Sequence, residues 1–73
     1  MHFMPAIGTR VMYESFGDLV PYLIIGYEKD EIAIVKDMDT GHETWIIVKF
    51  YRRDGDHPRG YRAVWNNRLT LLD

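Results

Sequence analysis

The sequence predicts an all-β fold: a small, closed or nearly closed barrel of five or six antiparallel strands. Three observations predict it. Apolar and polar residues alternate with a period of two along several windows, whereas no window sustains the 3.6-residue period of a helix. Clusters of Gly, Asp and Asn punctuate the chain at hairpin-like intervals. A chain of 73 residues encloses only one hydrophobic core, so its hairpins must share it, and closing the sheet removes edges that would otherwise aggregate.

The elements follow in order. Residues 9–13, TRVMY, come after Gly8 and have the β-branched and aromatic bias of a short strand, and ESFGD then reads as a turn. The second strand spans residues 20–28, with Pro21 near its start, a position that an edge strand tolerates because no ladder N–H is needed there. KDE turns the chain into a third strand at 32–38, and DTGH turns it into a fourth at 43–53. Two short strands, 61–65 and 68–72, complete the set, separated by Asn66 and Asn67, residue types that accept positive φ. The whole chain, 1–73, reads as a single domain with a flexible segment at 1–6.

Composition narrows the function classes. Apolar residues make up 47% of the chain and aromatic residues 14%, enough to drive folding. There is no cysteine, which removes disulfides and thiolate metal sites and fits a reducing compartment. Met1 to Ala6 lacks the charged start and apolar run of a secretion signal, and the stretches LVPYLIIGY and WIIV are far shorter than the roughly 20 residues of a membrane-spanning helix. The expectation is a soluble, cytoplasmic protein with no membrane partner. Net charge is −2 but unevenly placed: through Trp45, eight acids face three bases, and from Ile46 onward six bases face three acids. Such polarity argues against a general nucleic-acid coat and suits a protein partner that reads one sign at each end.

The stretch GTRVMYESFGD followed by YLIIGYEKDEIAIVKDMDTGHETWIIV resembles the SH3-like barrels of the KOW and CarD types, in which a Gly-x-x-Val opening strand precedes a hairpin meander. The likeness covers residues 7–52; the loop YRRDGDHPRG has no counterpart in it. It implies an SH3-like barrel and a non-catalytic module that touches RNA polymerase, ribosomal components or nucleic acid.

Candidate binding residues come from alternation along 43–53. If Ile46, Val48 and Phe50 point inward, then Trp45, Ile47, Lys49 and Tyr51 point outward. Two aromatics, an isoleucine and an ammonium compose an interface anchor, unless the N-terminal MHFMPAI covers them or the register is reversed. The expected core is Val11, Ile24 or Ile25, Ile34, Ile46, Val48, Phe50 and Leu71. Beyond the anchor lies a basic loop carrying Arg52, Arg53, Arg59 and Arg62 among Tyr51, Tyr61 and Trp65. It reads in three ways: a solvated hairpin loop with local Asp–Arg pairs, a protein-docking loop, or a single-strand nucleic-acid grip that pairs phosphate contacts with base stacking. Asp54 and Asp56 within it oppose phosphate. The expected partner-binding set is therefore Trp45, Ile47 and Tyr51 with Arg52, Arg53, Arg59 and Arg62 at the rim.

No residue pattern names a reaction. His2, His42 and His57 lack ligand spacing, Ser15 is the only serine and has no base beside it in sequence, and the glycines form no phosphate cradle. Asp37, Asp39 and Glu43 are spaced acids at a turn, which are ordinarily just hydrated. The expectation is a binding module without cofactor or metal, of a size common among accessory proteins of bacteria and their phages. It would dock onto a larger machine, with RNA polymerase the favoured partner. Direct RNA or DNA binding through residues 51–65 and a homo-oligomer burying the Trp45 face are the alternatives.

Overall fold

The computed structural model describes residues 4–72. They form seven strands: β1 (Arg10–Ser15), β2 (Asp18–Lys29), β3 (Ile32–Asp37), β4 (Glu43–Ile47), β5 (Lys49–Arg53), β6 (Tyr61–Trp65) and β7 (Leu69–Leu71). The fold is all-β, and the described residues contain no helix. One antiparallel sheet runs in the order β4-β3-β2-β1-β7, and β5 and β6 form a separate two-stranded ladder. Of the expected closed or nearly closed barrel of five or six strands, the ladders among the described residues show an open form with seven: no sheet closes, and the five-stranded sheet ends at β4 on one side and β7 on the other.

Turn chemistry accounts for the meander. Ser15 pairs with Asp18 across a two-residue turn in which Phe16 (φ 50°) and Gly17 (φ 86°) both have positive φ, the conformation whose twist matches a hairpin. Between β3 and β4, the Asp37 carboxylate accepts the N–H groups of Asp39 (2.8 Å) and Thr40 (3.1 Å), and Gly41 (φ 79°) donates to the Asp37 carbonyl. The twelve-residue β2 changes register with β3 between Ile24 and Gly26 and again between Tyr27 and Lys29. Such irregularities bend and twist a strand, letting this long one serve both neighbours.

Pro21 departs from its expected edge position, since β2 is the central strand. It is tolerated because β3 ends at Asp37, paired with Tyr22; Pro21 lies just past that ladder, where its carbonyl accepts the N–H of Met38 at 2.9 Å.

Val11, Ile24, Ala33, Val35, Ile46, Val48 and Leu69 are the buried core, with Tyr13, Tyr22, Tyr27 and Trp65 packed against it. Side chains such as Ile24 and Val35 contribute about 1.5–3 kcal/mol each through burial. Three expected core members lie elsewhere. Ile34 is half-buried, because the apolar run IAIV supplies candidates for both faces of β3 and the fold takes Ala33 and Val35 inward. Leu71 is exposed on the short edge strand β7, and Leu69 occupies the core instead. Phe50 is 41% exposed because the expected strand 43–53 is interrupted at Val48, beyond which the chain enters the second ladder.

Of the segment expected to be flexible, Met1 to Phe3 lie outside the described residues. Pro5 is buried, and its carbonyl accepts the Tyr27 hydroxyl at 2.5 Å. Gly8 N–H donates to the Ile24 carbonyl at 2.7 Å. Residues 4–7 therefore run beside Asp30 and the Tyr27–Lys29 end of β2, and Trp45 is left 57% exposed.

A candidate interaction hairpin

Val48 is the point at which the chain passes from one sheet to the other. Its N–H donates to the Glu31 carbonyl (2.8 Å), beside β3, and its carbonyl accepts the Asn66 N–H (2.9 Å) at the far end of β6. Asn66 is buried, with every polar group engaged. Its Nδ2 donates to the Ile47 carbonyl at 2.6 Å, its Oδ1 accepts the Arg68 N–H at 3.0 Å, and its own carbonyl accepts the Leu69 N–H at 3.1 Å. One side chain thus ties β4, the end of β6 and the start of β7 together, a role hidden in a pair of asparagines that reads as a turn. A cleft of about 390 Å³ opens at this joint, lined by Tyr13, Ile47, Phe50, Asn66, Asn67 and Arg68.

Beyond the joint, β5 and β6 pack mainly with each other, and Trp65 at the base of β6 reaches the core. Their register pairs Lys49 with Trp65, Phe50 with Val64, Tyr51 with Ala63, Arg52 with Arg62 and Arg53 with Tyr61. Directly opposed residues share a face, so one face carries Lys49, Tyr51, Arg53, Tyr61 and Trp65, and the other Phe50, Val64, Arg52 and Arg62. Tyr51 is 55% and Tyr61 51% exposed, and the Lys49 ammonium sits 5.7 Å from the Tyr51 ring centroid. The tip is a structured turn: Asp54 N–H donates to the Gly60 carbonyl (2.9 Å), Gly60 takes φ 78°, and the His57 Nδ1 accepts the Arg59 N–H at 3.2 Å. Arg62 pairs with Asp54 at 3.1 Å, one of the local Asp–Arg contacts that the loop composition suggested.

The expected site residues are thereby divided. Trp45 and Ile47 stand on β4, in the five-stranded sheet; Tyr51, Arg52 and Arg53 stand on β5, Arg62 on β6 and Arg59 in the connecting turn. No ladder joins the two groups. Trp45 lies opposite Ile34, and Ile47 is half-buried in the joint cleft. Alternation missed the hairpin's second face, on which Phe50 and Val64 adjoin the opposed arginines.

The charge map follows the same division. Residues 49–65 hold five bases and two acids, a net of +3, and the rest of the chain carries −5. Away from the hairpin, N–H groups of Asp39 and Thr40 hold the Asp37 carboxyl below its usual value. Burial raises Tyr22, with the Asp37 charge and Tyr13 adding to it, and burial likewise raises Tyr27. Among the described residues no three His, Asp or Glu side chains are grouped as a metal site, and no helix is long and apolar enough to cross a membrane.

Compared with models of known protein families, with curated proteins and with solved structures, the chain matches none.

Proposed function

We propose that this chain is a non-catalytic binding module that docks by protein–protein contact onto a larger assembly, presenting the β5–β6 hairpin to an acidic surface. The observation that carries this reading is the hairpin itself: a basic, aromatic two-stranded ribbon held to the body at its base. Ribbons of this kind are marginal alone, and exposed tyrosines flanked by arginines have the composition of interface anchors. The Arg62–Asp54 pair and the nearby Asp56 disfavour phosphate as the target. The strand order supports reading the body as an SH3-like barrel left open, a four-strand meander with β7 returning to β1 and the hairpin inserted before it. RNA polymerase as the partner rests on the sequence resemblance, and an accessory, phage-encoded regulator is in keeping with a chain of 73 residues.

Affinity capture from a bacterial lysate, with and without nuclease, tests the reading. A defined protein assembly retained after nuclease treatment, and lost with the Tyr51→Ala, Arg52→Ala, Arg53→Ala triple variant, is the expected result. Retention that vanishes with nuclease transfers the function to nucleic acid.

A further inference from the structure

The ribbon has an edge with a specific address. At its base Asn66 N–H bonds the Val48 carbonyl, and at its tip Asp54 N–H bonds the Gly60 carbonyl. Antiparallel pairs alternate between hydrogen-bonded and non-bonded, so Phe50·Val64 and Arg52·Arg62, which fall in step with these ends, are the bonded pairs. The backbone N–H and C=O groups of Lys49, Tyr51 and Arg53 therefore point away from β6. Among the described residues the only ladder partner of β5 is β6, so these groups form an open edge.

Charge marks that edge further. Lys49, Arg52 and Arg53 lie on β5, whereas β6 carries only Arg62, already paired with Asp54. Arg52 also sits directly opposite Arg62, a like-charge pair that weakens the ladder. Among the described residues the Arg52 guanidinium makes no ion pair. A two-stranded ribbon is marginal in water, and a third strand gives it the cooperative pairing that it lacks.

We infer that the open edge of β5 receives an extended acidic segment of a protein partner as an antiparallel third strand; this rests on the protein-docking reading above and specifies its ligand. The register fixes the pattern. Read from its N-terminus, the incoming strand places acids opposite Arg53 and Arg52, apolar residues opposite Tyr51 and Phe50, and an acid opposite Lys49. Its first, third and fifth residues turn their amides to β5, and its second and fourth turn theirs away.

A fluorescein-labelled peptide with the core Asp-Glu-Phe-Val-Glu, titrated with the full chain and followed by anisotropy, tests this. N-methylating the first, third and fifth core amides should weaken binding roughly tenfold or more, whereas N-methylating the second and fourth should leave it nearly unchanged. The protein is the same in both titrations, so neither result depends on the folding of a variant. Arg52→Ala with Arg53→Ala should also weaken the unmodified peptide about tenfold, with the loss shrinking as salt rises. Equal affinity for the two methylated peptides overturns strand addition but leaves docking by side chains standing. No binding of the unmodified peptide overturns the acidic strand as ligand. If a duplex or single-stranded oligonucleotide binds instead, with affinity collapsing between about 50 and 200 mM salt, the docking reading falls with it.

Discussion

Asn66 is buried and joins the two sheets through bonds to Ile47, Val48, Arg68 and Leu69. Asn66→Ala strips the partners from the Ile47 carbonyl and the Arg68 N–H, and chemical denaturation should show a loss of about 1–3 kcal/mol. Val48 and Phe50, two residues apart, should behave differently. Val48 is fully buried, and Val48→Ala should cost about 2–3 kcal/mol, whereas Phe50→Ala, at an exposed site beyond the break, should stay within about 1 kcal/mol. Equal losses in the two variants would mean that Phe50 packs as core. At the β1–β2 turn Phe16 holds a φ of 50° that favours Asn, so Phe16→Asn should raise stability by about 1 kcal/mol, seen as a higher melting temperature.

Strand identities were legible at the element scale because turn chemistry is local. The turns fall at Phe16–Gly17 within ESFGD, at Asp30–Glu31 within KDE, and at DTGH and NN, and every predicted strand has a counterpart. What local pattern did not carry was the division of 43–53. WIIVKFYRR is continuous in β propensity, and the break at Val48 arises from bonds to Glu31 and Asn66, residues distant in sequence. The same limit split the candidate site: alternation across an imagined single strand put Trp45 and Tyr51 on one face, yet they belong to different sheets. The face of β3 was illegible for another reason, since IAIV is apolar at both parities. The hairpin, packed mainly on itself, should be the least protected ladder. Amide hydrogen exchange should be faster in β5 and β6 than in β2 and β3, and an acidic-strand ligand should slow it at Lys49, Tyr51 and Arg53. Uniform protection across both sheets would show that they open as one unit.

For the whole molecule, stability should fall away at both ends of the pH scale for different reasons. Folded Asp37 binds its proton less tightly than the unfolded chain does, so its contribution is in place above about 3.8 and is lost as pH falls below that through the depressed folded value. Tyr22 and Tyr27 hold their protons more tightly when folded, so their contribution is in place below about 10.0 and is lost as pH rises past it. Melting temperature against pH should therefore show an acid limb that Asp37→Asn flattens and an alkaline limb that Tyr22→Phe flattens.

The radius of gyration, 13.2 Å, exceeds the roughly 11 Å of a compact chain of this length, and the long dimension reaches 43 Å. Within that elongated body the net charge of −2 conceals +3 on the hairpin and −5 on the remainder. The separation makes the molecule an electric dipole, and in the field of a charged partner a dipole feels a torque before any atoms touch. An acidic surface would turn the hairpin toward itself and the remainder away, so that random collisions become oriented ones. The orientation is felt over about a Debye length, roughly 10 Å at 0.1 M salt. Added salt should slow complex formation while leaving the lifetime of the finished complex nearly constant.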